Sequence, residues 1–115
     1  MEAVLKEVRL FRTKLGRIPF MEWLQALPDL RARQKIQARI DRVSLGDLGD
    51  AKSVGEGIHE LKINFGPGYR LYCGFDGDAV VILVLGGTKG TQNEDIQKAK
   101  AFWSEYKNEK NYGKR

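Results

Sequence analysis

Apolar residues change their spacing several times along the chain, and each change marks an element. Val4, Val8 and Leu10 recur in strand-like alternation, after which Gly16 and Pro19 punctuate the chain. From Pro19 the spacing becomes helical, with Phe20, Trp23, Leu24 and Leu27 at intervals of three and four, and a proline suits a first helical turn. Pro28-Asp29 should interrupt this helix. A second helical pattern carries Leu30, Ile36, Ile40 and Val43 on its apolar stripe, so the two segments predict a helical hairpin. The stretch from Ser44 to Gly57 contains four glycines and reads as a loop, the flexible part of the chain.

Three strand signals follow, Ile58 to Phe65, Tyr69 to Phe75 and Ala79 to Leu85, separated by Gly66-Pro67-Gly68 and Asp76-Gly77-Asp78. Such short glycine-rich connections predict consecutive antiparallel hairpins. The last strand is apolar at nearly every position, which predicts an interior strand covered on both faces for part of its length. Gly86-Gly87 reads as a turn. Thr91-Gln92-Asn93-Glu94 then matches a capping box, and Ile96, Ala99, Trp103 and Tyr106 form the docking stripe of a final helix. The expected fold is α+β: an N-terminal strand, a two-helix hairpin, a three-stranded antiparallel meander and a C-terminal helix, with helices on one sheet face and the other open. One domain over residues 1–108 is expected, with a polar, basic and flexible tail at 109–115.

Strand parity sharpens what the open face should carry. Leu61, Ile63 and Phe65 share a side, as do Tyr69, Leu71, Cys73 and Phe75, and these sets should face the core. Glu60, Lys62, Arg70 and Tyr72 should gather on the opposite side, joined by Lys89 beyond the last strand. A set of this kind suits phosphodiester transfer by the 2′-hydroxyl of RNA. Arg70 and Lys89 could hold the phosphate, Glu60 or Lys62 could take the 2′-hydroxyl proton, and Tyr72 could stack on a base or donate a hydrogen bond. No metal and no cofactor enter this scheme. The solvated side of an antiparallel sheet gives the same pattern, so parity nominates these residues without proving a site. His59 and Cys73 fall with the core set and read as structural.

Charge moves the picture toward a polyanionic partner. Twenty Lys and Arg against fifteen Asp and Glu give a net charge of +5 and a pI near 9.4. Arg31, Arg33, Lys35, Arg39 and Arg42 cluster on the second helix, where they suit RNA or ribosome binding as well as a solvated face. A single cysteine and a single histidine exclude an intramolecular disulfide and a Cys/His zinc set. No apolar run approaches the ~20 residues of a membrane-spanning helix, and no signal peptide is recognised at Met1–Val4, so a cytoplasmic protein is expected.

Three linked segments carry a further resemblance: Gly57-Ile58-His59-Glu60-Leu61-Lys62-Ile63, Gly66-Pro67-Gly68-Tyr69-Arg70-Leu71-Tyr72, and Leu85-Gly86-Gly87-Thr88-Lys89 with Gln92 and Asp95-Ile96. Together with Phe20-Met21-Glu22-Trp23-Leu24 they resemble the addiction-module killer proteins, phage-related HigB-like members of the RelE/ParE superfamily. The resemblance implies the toxin of a type II toxin–antitoxin system, with ribosome-dependent cleavage of messenger RNA. It also implies a cognate helix-turn-helix antitoxin encoded by an adjacent gene. Arg70 matches a catalytic arginine of RelE-like members, and Lys89 falls near a second basic catalytic position; the match of Lys62 is looser, and that of Glu60 looser still. The chain departs from RelE where that protein has a catalytic tyrosine near its C-terminus, since neither Tyr106 nor Tyr112 aligns with it. ParE-like relatives poison DNA gyrase without cutting RNA, so that alternative, and a basic binding domain that has lost toxicity, stay open.

Overall fold

The computed structural model describes residues 4–113. In chain order it contains β1 (Glu7–Leu10), α1 (Pro19–Ala26), α2 (Leu30–Ser44), β2 (Ala51–Gly55), β3 (Ile58–Ile63), β4 (Tyr69–Asp76), β5 (Val80–Thr88), one 3-10 turn (Lys89–Thr91) and α3 (Gln92–Gly113). The expected α+β order is therefore present. Pro19 opens α1, and the break after it has a definite cause: Asp29 Oδ1 accepts from the Arg31 and Ala32 amides at 2.9 and 3.3 Å, capping α2. Arg33 closes the other side of the break, its Nε donating to the Leu27 carbonyl at 2.8 Å and its Nη2 to that of Gln25 at 3.3 Å.

The strands form one sheet in the order β1-β5-β4-β3-β2, with β1 parallel to β5 and every other pair antiparallel. The strand count and the placement of the helices differ from the sequence expectation. The stretch read wholly as a loop contains the edge strand β2, so the meander has four strands rather than three. The helices also lie on both faces of the sheet rather than one. Phe20, Ile36 and Val43 of the α1–α2 hairpin pack with Leu61, Leu71, Cys73, Val81 and Leu83. Ala99 and Trp103 of α3 pack with Phe11, Ile58, Tyr72, Ile82, Val84 and Leu85 on the opposite face. The unbroken apolar run of β5 follows from this, because its alternate residues fill two cores.

Gly86-Gly87 is not a turn but the last part of β5. A Cβ on Gly86 would lie 2.2 Å from the Trp23 indole, and one on Gly87 would lie 1.8 Å from Asp95 Oδ2. The missing side chains thus let α1 approach one face of β5 and α3 the other. On α2 the buried stripe is Ala32, Ile36, Arg39 and Val43, while Leu30 is exposed. The helix start near Thr91 also shifts: the reciprocal cap joins Thr88 and Thr91 around the 3-10 turn instead of Thr91 and Glu94. α3 continues past residue 108 to Gly113, and Lys110 forms an ion pair with Asp76 at the end of β4. Residues 114–115 of the expected tail lie outside the described residues.

Candidate functional site

The register of the central strands brings the sequence-nominated residues together. Lys62 stands opposite Arg70, which stands opposite Gly87; one step along, Glu60 stands opposite Tyr72, and Tyr72 opposite Leu85. Alternation places Glu60, Lys62, Arg70 and Tyr72 on the α3 side of the sheet, as parity requires. That side is not open. Glu60, Arg70 and Tyr72 are 3%, 5% and 0% exposed, because the first turns of α3 lie over them. Lys62 and Lys89 remain exposed. The expected open face is therefore corrected to a buried trio, Glu60, Arg70 and Tyr72, with lysines at its rim.

Glu60 is the centre of this arrangement. Its Oε2 accepts from Gln92 Nε2 at 2.7 Å and from the Tyr72 hydroxyl at 3.3 Å. Its Oε1 lies 3.7 Å from Arg70 Nε and 3.8 Å from Lys52 Nζ. Arg70 Nη1 donates to the Gly68 carbonyl at 2.8 Å, and the backbone amide of Lys89 donates to the same oxygen at 2.9 Å, so the β3–β4 turn fixes the Arg70 guanidinium and the main chain at Lys89, whose side chain is exposed. Arg70 Nε is buried without a hydrogen-bond partner. Burial, followed by the negative charges of Glu60 and Asp95, raises the Tyr72 pKa, which keeps its hydroxyl protonated. A fully buried ring offers no face to a base, so Tyr72 acts here as a donor to Glu60 rather than as a stacking platform.

The start of α3 completes the wall. Asp95 is 7% exposed, lies against Gly87, and accepts from the Thr91 hydroxyl at 2.5 Å. Sequence alone does not nominate Lys52, Thr91, Gln92 or Asp95 as site residues. Lys52 lay in a stretch taken for a loop, and the other three looked like ordinary residues of a helix start. A β2 strand paired in register with β3 is the signal that exposes Lys52.

The second-helix cations divide by environment. Arg31 and Lys35 are exposed and lie 6.0 and 5.8 Å from the centre of the Phe65 ring. Arg42 is exposed and pairs with Asp47 at 3.1 Å, while Arg33 caps α1. Arg39 does not belong with an exposed set. It is 5% exposed, and its Nε donates to the Lys62 carbonyl at 3.3 Å and its Nη2 to those of Leu48 and Asp50 at 2.5 and 3.2 Å. It stitches α2 to the chain around β2 and β3. Burial and the neighbouring Arg42 charge both lower its pKa. His59 and Cys73 lie apart from the site: the His59 ring sits 4.7 Å from that of Phe75, and burial pushes the Cys73 thiol up to about 12. Among the described residues, no group of three or more His, Cys, Asp or Glu side chains could hold a metal ion, and no helix is long and apolar enough to cross a membrane.

Residues 22–103 match the family model described as phage derived protein Gp49-like, DUF891. The chain belongs to the Gp49-like family. This family is associated with RelE-like toxin–antitoxin modules. The chain is also 48% identical over 88 residues to an uncharacterized protein of Haemophilus influenzae, an alignment covering 76% of this chain and 89% of the relative. No solved structure matches. The Gp49-like segment contains Lys52, Glu60, Lys62, Arg70, Tyr72, Lys89, Gln92 and Asp95, so the buried network and its lysine rim both fall inside the part of the chain that defines the family.

Proposed function

We propose that this Gp49-like protein is the toxin of a type II toxin–antitoxin pair, of the HigB-like kind, and that it inhibits translation in the cytoplasm by cutting messenger RNA on the ribosome without a metal. The observation that carries the reading is a guanidinium, Arg70, fixed between the Gly68 carbonyl and the Glu60 carboxylate, with Lys62 opposite it and the main chain of Lys89 bonded to the same carbonyl. Cations held in place beforehand stabilise charge that develops on a phosphate without reorganising during the reaction. In the proposed step the 2′-oxygen of one nucleotide attacks the adjoining phosphorus as its proton leaves. The bond from phosphorus to the 5′-oxygen breaks, and that oxygen takes up a proton. The products are a 2′,3′-cyclic phosphate and a 5′-hydroxyl.

Within this scheme Arg70 and Lys89 hold the phosphate, and Lys62 is the exposed group placed to exchange protons with the reacting hydroxyl. Glu60 and Tyr72 take positioning parts: the carboxylate orients Arg70, and the phenol and Gln92 orient the carboxylate. The exposed cations Arg31, Lys35 and Arg42 offer α2 to ribosomal RNA, while Arg33 and Arg39 are engaged with backbone carbonyls. The partner is a helix-turn-helix antitoxin from the adjacent gene, which relieves toxicity by covering the basic surface.

Induced expression with mapping of RNA 5′ ends tests the reading. New ends inside translated messages, lost when the adjacent gene is co-expressed, are expected. Intact transcripts accompanied by DNA breaks and supercoiling defects would instead identify a gyrase poison. Intact transcripts with normal growth would identify a binding domain without toxicity.

A further inference from the structure

The edge strand β2 brings one more cation to the site. Lys52 stands opposite Glu60 in the β2–β3 register, and its ammonium lies 3.8 Å from Glu60 Oε1. The two partners differ sharply in environment, the Lys52 side chain being 66% exposed and that of Glu60 3%. Glu60 already receives a guanidinium, a phenol hydroxyl and a carboxamide. Its charge is answered from within, and a long exposed ammonium at this distance adds little to the stability of the pair.

Lys52 is thus free to turn to a ligand arriving from solvent. Lys52 stands in line with Glu60 and Tyr72, two residues along from the Lys62–Arg70 pair; with neighbouring strands about 4.8 Å apart and a rise of about 3.4 Å per residue, its backbone on β2 stands about 12 Å from that of Arg70 on β4. Lys62 lies between them on β3 and is also exposed. One strand each, β2, β3 and β4, therefore contributes a cation to a row across this end of the sheet, and Lys89 extends it past β5. Such a row suits a chain of phosphates better than a single one.

We propose that Lys52 contacts the phosphodiester backbone of single-stranded RNA, taking a phosphate next to the one held by Arg70 and Lys89; this rests on the RNA-cutting reading above. The RNA crosses the end of the sheet from β5 toward the β2 edge, and Lys52 acts in binding rather than in the bond-breaking step.

The test is a titration of the purified chain with a fluorescein-labelled single-stranded RNA oligonucleotide over a series of salt concentrations, with ribosome-programmed cleavage measured alongside. Losing one phosphate contact should make the slope of log K against log salt shallower by about 0.7. Lys52→Ala should show that change and a raised KM with kcat retained, Lys52→Arg should keep the wild-type slope, and all three proteins should melt alike. Lys14→Ala, on the loop ahead of α1, should leave the slope unchanged. The change should persist in a Glu60→Gln background; if it disappears there, Lys52 only neutralises Glu60 and the proposal is overturned. An unchanged slope in Lys52→Ala overturns it too, while wild-type binding and cleavage leave the RNA-cutting reading standing. A wild type that neither binds the oligonucleotide nor cuts message overturns both.

Discussion

Truncating Arg70 is predicted to cost stability as well as function, which reverses what parity alone suggests. On an open sheet face Arg70→Ala would open no cavity and leave the fold intact. In the structure Arg70 is 5% exposed, and its Nε lies 3.7 Å from a carboxylate that is itself buried. At that separation and an effective dielectric constant near 20, the attraction is about 4 kcal/mol, and removing one member of a buried pair typically costs about 3–5 kcal/mol. Glu60 keeps its bonds from Gln92 and Tyr72, which limits the damage. Removing Arg70 also relieves the unpartnered Nε. The expected loss for Arg70→Ala is therefore about 2–4 kcal/mol, at the lower side of the range for broken buried pairs. Arg70→Met combined with Glu60→Gln removes both charges and should recover most of that loss. Urea denaturation of Arg70→Met, Glu60→Gln and the double variant measures the coupling. The double variant should fold but neither cleave message nor inhibit growth, which separates the chemical part of Arg70 from its structural one. If Arg70→Ala stays within about 0.5 kcal/mol of wild type, the scale of an ordinary surface substitution, the buried-pair reasoning is refuted. If the double variant remains toxic, the assignment of Arg70 to the phosphate fails.

Trp103→Ala should lose about 3–5 kcal/mol in urea denaturation, the usual range for a buried large aromatic, since Trp103 is 5% exposed and fits against Gly57 and Gly74; a loss below about 1 kcal/mol would mean that α3 does not dock as described. Arg39→Ala should cost about 2–4 kcal/mol, because its charged hydrogen bonds leave three carbonyls to find new partners, whereas Arg31→Ala, on the exposed side of the same helix, should stay within about 0.5 kcal/mol of wild type; equal effects would contradict the division between them. Burial and the hydrogen bond to Asp76 raise the Tyr106 pKa from 10.0 to about 12. The folded state then favours the protonated phenol, so this contribution is fully present below pH 10 and is lost as pH rises through about 12. Stability measured across that window should fall less steeply for Tyr106→Phe than for wild type.

The legible part of the fold was the part decided by local pattern. Alternation in Ile58–Ile63 and Tyr69–Asp76 sorted Leu61, Leu71 and Cys73 into one core and set Glu60, Lys62, Arg70 and Tyr72 apart from them, and the structure keeps that sorting. What alternation could not supply was the cover on the second face. The stripe Ile96, Ala99, Trp103 and Tyr106 shows that α3 docks, but not on which side. The deciding signals were glycines whose meaning is tertiary: Gly87 sits where Asp95 approaches β5, and Gly74 sits where Trp103 approaches β4, with a would-be Cβ 2.5 Å from its indole. Read locally, a glycine pair is a turn. β2 escaped notice for a similar reason, since Ala-Lys-Ser-Val-Gly has little β pattern of its own and is held in the sheet by pairing with β3. Arg39 shows the limit most sharply, because a cation at a core position of α2 is recognisable only once the carbonyls of Leu48, Asp50 and Lys62 converge on it.

Burial also changes how the site would work. A guanidinium on an open face would have to be ordered by the substrate, at the cost of side-chain freedom during binding. Here Glu60, Gln92 and Gly68 order Arg70 before any ligand arrives, and the exposed lysines are left to gather the polyanion. Gln92 belongs to the first turn of α3, and α3 is anchored far from the site by Trp103 and by the pairing of Lys110 with Asp76. The docking of one helix thus supports both the hydrophobic core and the orientation of Glu60. A partner that shifted the start of α3 would remove the 2.7 Å bond from Gln92 and loosen Arg70 without touching it.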